Sequence, residues 1–280
     1  MNESHSIVEH YGTESLMPAI NAALRKAGLG EGDGDVAWKD LAPLDQFHVR
    51  GFAATQELAS SMKTVSGASI LDIGCGVGGA SRFLAASCDA RVTGIDLNPA
   101  FIEAASALSV RAGLSDRTTF RVADALDLPF EASTFDDAWT QHVAMNIHDR
   151  PKLYSEVFRV LKPGGQFAIH DVVQMGDQPL IFPVPWARVP ETSFLLSSAA
   201  MRDILSKTGF EMLSWSDTTE ATKAWIVQLQ AARAAMSVPP PMGLHVVTGA
   251  DFPTMIANLG LNLSEGRSGV VQTVVRRPKQ

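Results

Sequence analysis

The sequence predicts an α/β protein, with an open and mostly parallel sheet covered by helices on both faces. Three observations carry this. Short apolar runs ending in Gly or Asp recur between residues 68 and 171, each the length of a buried strand. Segments with helical spacing lie between them, near 80–87, 99–112 and 150–160. The first run breaks into glycines directly before a helix, in Ile70-Leu71-Asp72-Ile73-Gly74-Cys75-Gly76-Val77-Gly78-Gly79.

From the N-terminus, residues 14–27 have helical spacing, with Leu16, Ile20, Ala23 and Leu24 on one side, and stop at Gly28. Residues 28–35 are rich in Gly and acid and read as a loop. Residues 52–62 read as another helix. This leading part carries too little apolar material to fold alone, so residues 1–66 are expected to form a helical lid. Strands are expected at 68–73, 90–96, 119–123, 135–139 and 166–171, the last preceded by Leu161-Lys162-Pro163-Gly164-Gly165. Pro179, Pro183 and Pro185 exclude a regular helix and imply a rigid, extended loop. A helix at 197–208 ends at Gly209, and a sixth strand covers 211–218. Helices at 221–236 and 251–263 come next, split by Val238-Pro239-Pro240-Pro241, and the last strand is 268–276. Residues 67–280 then form the core, with covers at 174–197 and 220–263.

Composition sets the outer bounds. The 280 residues are 46% hydrophobic and 19% charged, enough for one large domain with a real core. The net charge is −7, and no basic tract occurs, which argues against nucleic acid as a partner. The two cysteines, Cys75 and Cys88, lack metal-ligand spacing and make no disulfide framework. They fit a reduced, cytoplasmic setting. No apolar signal core is visible in residues 1–11, and no run reaches the ~20 apolar residues of a spanning helix. A small molecule is the expected partner, with a homodimer as a further candidate.

Two cofactor classes fit the glycine loop. Gly74, Gly76 and Gly79 satisfy G-x-G-x-x-G, so a nicotinamide or flavin dinucleotide has to be weighed. Asp72 argues the other way: a carboxylate two residues before the first glycine suits an ammonium and repels a pyrophosphate. Asp96 ends the second strand, where an acid binds ribose hydroxyls. Asp124-Ala125 end the third strand, and Gln141-His142 come after the fourth. The plainer alternative is that Asp96 and Asp124 only cap the next helix.

This ordered set, from Ser69 to Val173, resembles the class I S-adenosylmethionine (SAM) dependent methyltransferases. The resemblance implies a Rossmann-like sheet of seven strands with the last antiparallel, and a helical insertion between the last two. It implies that Gly74, Cys75 and Gly76 cradle the methionine part and that Asp72 faces its amino group. Asp96 with Leu97 takes the ribose, Asp124 with Ala125 holds the adenine edge, and Gln141 completes the set. S-adenosylhomocysteine (SAH) would be the product.

A narrower resemblance rests on Asp45-Gln46-Phe47-His48-Val49-Arg50-Gly51, Gln141-His142-Val143-Ala144-Met145-Asn146-Ile147 and Phe182-Pro183-Val184-Pro185-Trp186-Ala187. Asn258, Asn262 and Glu265-Gly266-Arg267 extend it. These segments look like the sarcosine/dimethylglycine N-methyltransferase group. This implies methylation of a small amine, with His142 as the catalytic residue. His48, Arg50, Asn146, Trp186, Arg188 and Tyr11 are then the expected substrate residues. A carboxylate substrate needs a guanidinium, for which Arg50, Arg188 and Arg267 are the candidates. Arg50 and Arg188 are equally suited to simple pairing with acids such as Asp45 and Glu191. The chain has only Tyr11 and Tyr154 as tyrosines, which leaves room for another acceptor. That alternative is a small (hetero)aromatic compound methylated at O, S or N. A silent SAM-binding subunit and an NAD-dependent enzyme are the competing functions.

Overall fold

The computed structural model describes residues 15–30, 35–238, 240–248 and 251–279. Seven strands form one sheet in the order β3-β2-β1-β4-β5-β7-β6. They are β1 (Ser69–Ile73), β2 (Arg91–Asp96), β3 (Thr118–Val122), β4 (Phe135–Gln141), β5 (Leu161–Gln174), β6 (Glu211–Asp217) and β7 (Ser268–Arg276). β1 to β5 pair in parallel, and β7 lies between β5 and β6, antiparallel to both. The resemblance to the methyltransferase sheet thus holds in topology. The strand order reverses between β1 and β4, and such a reversal opens a crevice at the C-terminal strand ends.

Alternation along β1 explains the two helical layers. Leu71 and Ile73 face α6 (Arg150–Val160) and α7 (Ser198–Thr208), packing with Leu153, Tyr154, Val157, Met201 and Leu205. Ile70 faces α3 (Gly51–Ser60) and α4 (Gly79–Ser87), packing with Leu58, Phe83 and Leu84. Trp139 lies fully buried on that second face, in the core as its mid-strand position requires.

β5 begins earlier than its apolar run suggests. Leu161 pairs with Phe135, and the Pro163-Gly164-Gly165 stretch is held by main-chain bonds to Arg277. A Cβ at Gly165 would lie 2.5 Å from the Asp136 carbonyl, so only glycine lets the strands approach here. Local preference in these residues is for a turn, while the sheet uses them as strand.

The chain before β1 holds α1 (Met17–Lys26), a 3₁₀ turn (Trp38–Leu41), α2 (Ala42–Asp45) and α3. The spacing in residues 38–45 is too short to announce a helix. Its leucines are buried all the same: Leu41 and Leu44, with Ile20 and Leu24 of α1, pack on Val77 and on Phe101, Ala104 and Leu108 of α5 (Pro99–Arg111). Gly79 permits that docking, since a Cβ there would collide with the Asp45 carbonyl. Between β6 and β7 lie α8 (Thr219–Ala234), α9 (His245–Thr248) and α10 (Phe252–Ser264). The proline-rich loop is tied to α10 by Asn262, which bonds both main-chain groups of Ile181, and by Asn258, which donates to the Pro183 carbonyl. Among the described residues no helix is long and apolar enough to cross a membrane.

One polar contact is buried among these apolar ones. Arg82 of α4 donates to Asp45 at 2.9 Å, to the Val77 carbonyl at 2.7 Å, and to Ala105 and Ser109 of α5. Removing one partner of a buried pair leaves an uncompensated charge. Arg82→Ala should therefore lower unfolding free energy by about 3–5 kcal/mol, read as a fall in the urea midpoint. An unchanged midpoint would show that Asp45 is not held by this pair.

Candidate active site

A cavity of about 290 Å³ opens at the crevice between β1 and β4. Its wall is made of strand ends. β1 leads into Asp72, Gly74, Cys75 and Gly76; β2 into Asp96, Leu97 and Asn98; β3 into Asp124, Ala125 and Leu126; β4 into Gln141, His142 and Val143. Met145, Asn146 and Ile147 extend the last group, and Asp45, Phe47 and His48 close the cavity from the N-terminal side. Pro185 and Phe252 add to the cover. Gly74 turns at φ +68°, and a Cβ on it would collide with the Val143 side chain, so the loop can come close to its neighbour only as glycine.

Asp72 is buried at this edge and Asp96 and Asp124 are half-buried, and among the described residues no lysine or arginine lines the wall beside them. Asp72 accepts from Ser81 Oγ at 2.6 Å, and burial pushes its carboxyl up to about 7. Asp96 accepts from the Gly76 and Asn98 amides at 3.0 and 2.9 Å, and burial pushes it up to about 6. Asp124 accepts from the Leu126 amide at 2.8 Å. Asp96 and Asp124 therefore do tie the turns after them, and they face the cavity as well. α5 has its own cap, Asn98, which accepts from Ala100. The Cys75 thiol is driven far above its ordinary value by burial and by Asp72 and Asp96.

The opposite end carries three histidines. His142 comes directly after β4 in the left-handed region at φ 55°, and its amide donates to the His170 carbonyl at 2.7 Å. The rings of His142 and His170 lie 4.7 Å apart; His48 is 6.0 Å from His142 and 5.5 Å from His170. Burial keeps all three neutral: it lowers His48 to about 4, and it takes His142 and His170 well below their ordinary value. The Nε2 atoms of His142 and His170 are buried without a partner among the described residues. Among the described residues no group of three His, Cys, Asp or Glu has the spacing to hold a metal ion.

A polar chain ties these rings to the rest of the site. Gln46 Nε2 donates to Asp45 at 2.9 Å, and its Oε1 accepts from Thr55 Oγ1 at 2.8 Å. Trp139 Nε1 donates to Gln141 Oε1 at 3.0 Å, leaving the Gln141 amide nitrogen facing His170 Nδ1 at 3.5 Å. Thr55 lies on α3 in no recognisable motif, so sequence reading misses it. Asp45 and Gln46 sit inside a segment the sequence does mark, though not with these roles.

The expected site residues divide into two groups. Asp72, Gly74, Cys75, Gly76, Asp96, Leu97, Asp124, Ala125, Gln141, His142, His48 and Asn146 all line the one cavity. Arg50, Arg188 and Trp186 do not. Arg50 is paired with Glu57 rather than Asp45, and Arg188 pairs with Asp251 at 2.7 Å rather than with Glu191, half-exposed on the surface. Arg267, the third candidate, pairs with Glu265. Trp186 is buried, donates to Ser193 Oγ at 2.9 Å, and lines a small apolar annex with Trp225, Phe252, Ile256 and Leu259. Tyr11 lies outside the described residues. His170 and Asp171 lie behind the wall; Asp171 meets Arg150 at 3.5 Å.

A methyltransferase domain model matches residues 71–169. Methyltransferase GfsG of Streptomyces halstedii is 31% identical over 192 residues, 66% of this chain and 68% of that one. O-methyltransferase resE of Aspergillus sclerotiorum is 30% identical over 226 residues, 80% of this chain and 84% of that one. A solved geranyl diphosphate C-methyltransferase from Streptomyces coelicolor superposes with a TM-score of 0.73 over 99% of this chain and 98% of its own, at 17% identity, a likeness of fold. The glycine loop, the acids at successive strand ends and these relatives lead to one conclusion: the chain belongs to the class I SAM-dependent methyltransferases, and its cofactor is S-adenosyl-L-methionine.

Proposed function

We propose that the enzyme methylates a hydroxyl oxygen of a neutral, largely apolar small molecule. The carrying observation is the charge of the cavity wall. Among the described residues it includes four aspartates, Asp45, Asp72, Asp96 and Asp124, and no lysine or arginine. A glycine-derived acceptor such as sarcosine or dimethylglycine brings a carboxylate that requires a cation, and Arg50, Arg188 and Arg267 are all paired elsewhere. Beside His48 and His142 the wall is apolar, with Trp186, Trp225, Phe252, Ile256 and Leu259, which offers a carboxylate no partner. The name of the resE relative, an O-methyltransferase, is in keeping with this.

The acidic end fits the cofactor. A buried carboxyl raised to about 7 with no cation beside it, Asp72, suits an ammonium group. Asp96, fixed by two amides, suits ribose hydroxyls, and Asp124 with Ala125 suits the adenine edge. Bound there, SAM supplies a methyl group made electrophilic by its sulfonium. The chain supplies placement and dryness. The glycine loop fixes one partner, and His48 and Asn146 orient the other. The residues before β1 and the segments 174–197 and 220–263 exclude water. His142 is neutral in its buried setting, so it is free to take the acceptor's proton.

Three measurements test this. Mass spectrometry with deuteromethyl-SAM, offered sarcosine, dimethylglycine and a small-metabolite extract, should place label in a hydroxylated apolar compound. Label in dimethylglycine or betaine would overturn the acceptor assignment. Asp96→Ala should weaken SAH binding roughly 10- to 100-fold, whereas His142→Ala should lower kcat by about 100-fold with SAH affinity little changed. Full turnover in His142→Ala would remove its role as base.

Binding should also depend on pH. Free Asp72 and Asp96 hold protons below about 7 and about 6, and a bound ammonium favours their ionised forms. SAH affinity should therefore rise as pH increases toward about 7 and level off above it. Calorimetry in two buffers of different ionisation enthalpy should show proton release on binding near pH 6 to 7. Proton uptake there would contradict the assignment.

A further inference from the structure

We infer that His48 is where the proton given up by the acceptor comes to rest. This rests on the methyltransferase reading and on a count of donors and acceptors around the His48 ring. Nδ1 faces the Val49 carbonyl at 3.3 Å, which can only accept. Nε2 faces Gln46 Oε1 at 3.2 Å and Thr55 Oγ1 at 3.1 Å. The Gln46 amide cannot turn round, because its NH₂ donates to Asp45 and Asp45 is held by Arg82. Thr55 has one proton and three claimants: Gln46 Oε1, Gln141 Oε1 and His48 Nε2.

No neutral arrangement satisfies this group. When Thr55 donates to His48, the Gln46 oxygen has no donor. When Thr55 donates to Gln46 or Gln141, His48 must carry its proton on Nε2, and its Nδ1 lone pair then faces the Val49 carbonyl. The network is one proton short, and only the imidazolium fills every contact. Buried networks left partly satisfied are costly, so the shortfall marks a place built to receive a proton.

What keeps the resting ring neutral is burial, which lowers it to about 4. The groups around it add no compensating charge. From β4 and β5 come the neutral rings of His142 and His170; from α3 comes Thr55; Asp45 stands behind Gln46 and is neutralised by Arg82; Arg50, next in sequence but one, is paired with Glu57. A bound sulfonium adds to the opposition until the methyl has moved.

The transfer then balances. A lone pair of the acceptor oxygen forms the new O–C bond, and the C–S pair stays on sulfur. The O–H pair returns to oxygen, and its proton passes to His142 and on to His48. The two ring centroids lie 6.0 Å apart, and Thr55 Oγ1, 3.1 Å from His48 Nε2, can give its proton to that nitrogen as it takes up another. Positive charge moves from sulfur to imidazole, and the net charge of the buried site is unchanged. His142 is the poorer resting place of the two, because among the described residues its buried Nε2 has no acceptor to which an imidazolium could donate.

The test is a ¹⁵N-imidazole NMR titration of the whole protein in complex with SAH, with His48 assigned through its contacts to Thr55. On acidification His48 should protonate before His142 and His170. Gln46→Met keeps the length of the side chain and removes the oxygen facing Nε2, so it should lower the His48 midpoint by roughly one unit, tenfold in proton affinity. Protonation of His142 first, or an unmoved midpoint in Gln46→Met, would overturn the inference. With the acceptor found by labelling, His48→Gln should lower kcat about tenfold with SAH affinity retained. If His142→Ala abolishes turnover and His48→Gln does not affect it, only this inference fails. If His142→Ala stays active, the reading of His142 beneath it fails first.

Discussion

A single buried guanidinium holds the parts of this site in register. Arg82 reaches the glycine loop at Val77, the helix after β2 at Ala105 and Ser109, and the N-terminal segment at Asp45. Those three pieces share no continuous stretch of chain, and each contributes to the cavity or to its support. Asp45 passes the constraint on, because it fixes the Gln46 amide, and Gln46 fixes the polar surroundings of His48 and Thr55. The position of the acceptor-end histidines thus depends on a charge on the cofactor-side helix. Buried pairs are poor sources of net stability, but an unpaired partner is costly, and this makes the arrangement hard to rearrange.

The two ends of the cavity are complementary in charge to the reaction. Among the described residues the acidic end of the cavity wall has no lysine or arginine, so a positively charged ligand there would relieve the burial of Asp72 and Asp96. The acceptor end is neutral, apolar on one side, and lined by imidazoles that burial keeps unprotonated. Positive charge enters with the sulfonium and leaves as a proton. In the proposed transfer a dry pocket tolerates that exchange because the charge lost at sulfur is the charge gained at imidazole.

Much of the fold was legible because its inner strands β1, β4, β5 and β7 are largely buried on both sides and its turns use glycine and proline. Strands β1, β2 and β7 and helices α5, α6 and α7 fall within a residue or two of their sequence expectation. The start of β5 was hidden in Pro163-Gly164-Gly165, where backbone closeness to Asp136 outweighs local turn preference. The short helix ending at Asp45 was hidden because four residues carry no period. That the residues at the strand ends would meet in one cavity was equally legible, since each sits at a fixed offset from a strand end. The arginines were not: a guanidinium on a long stem reads the same whether it meets a ligand or a neighbour such as Glu57 or Asp251.

The sequence alone determined the class of fold, the glycine loop and the acids at the ends of β1, β2 and β3, because strand periodicity and backbone turning are local properties. Tertiary structure decided which charges remain available, since ion pairing joins residues as far apart as Arg188 and Asp251. It also brought His48, Thr55, Gln141 and His170 into one network from separate parts of the chain. Donor and acceptor counts, and hence the proton the site lacks, depend on distances across the fold, which no spacing along the chain encodes.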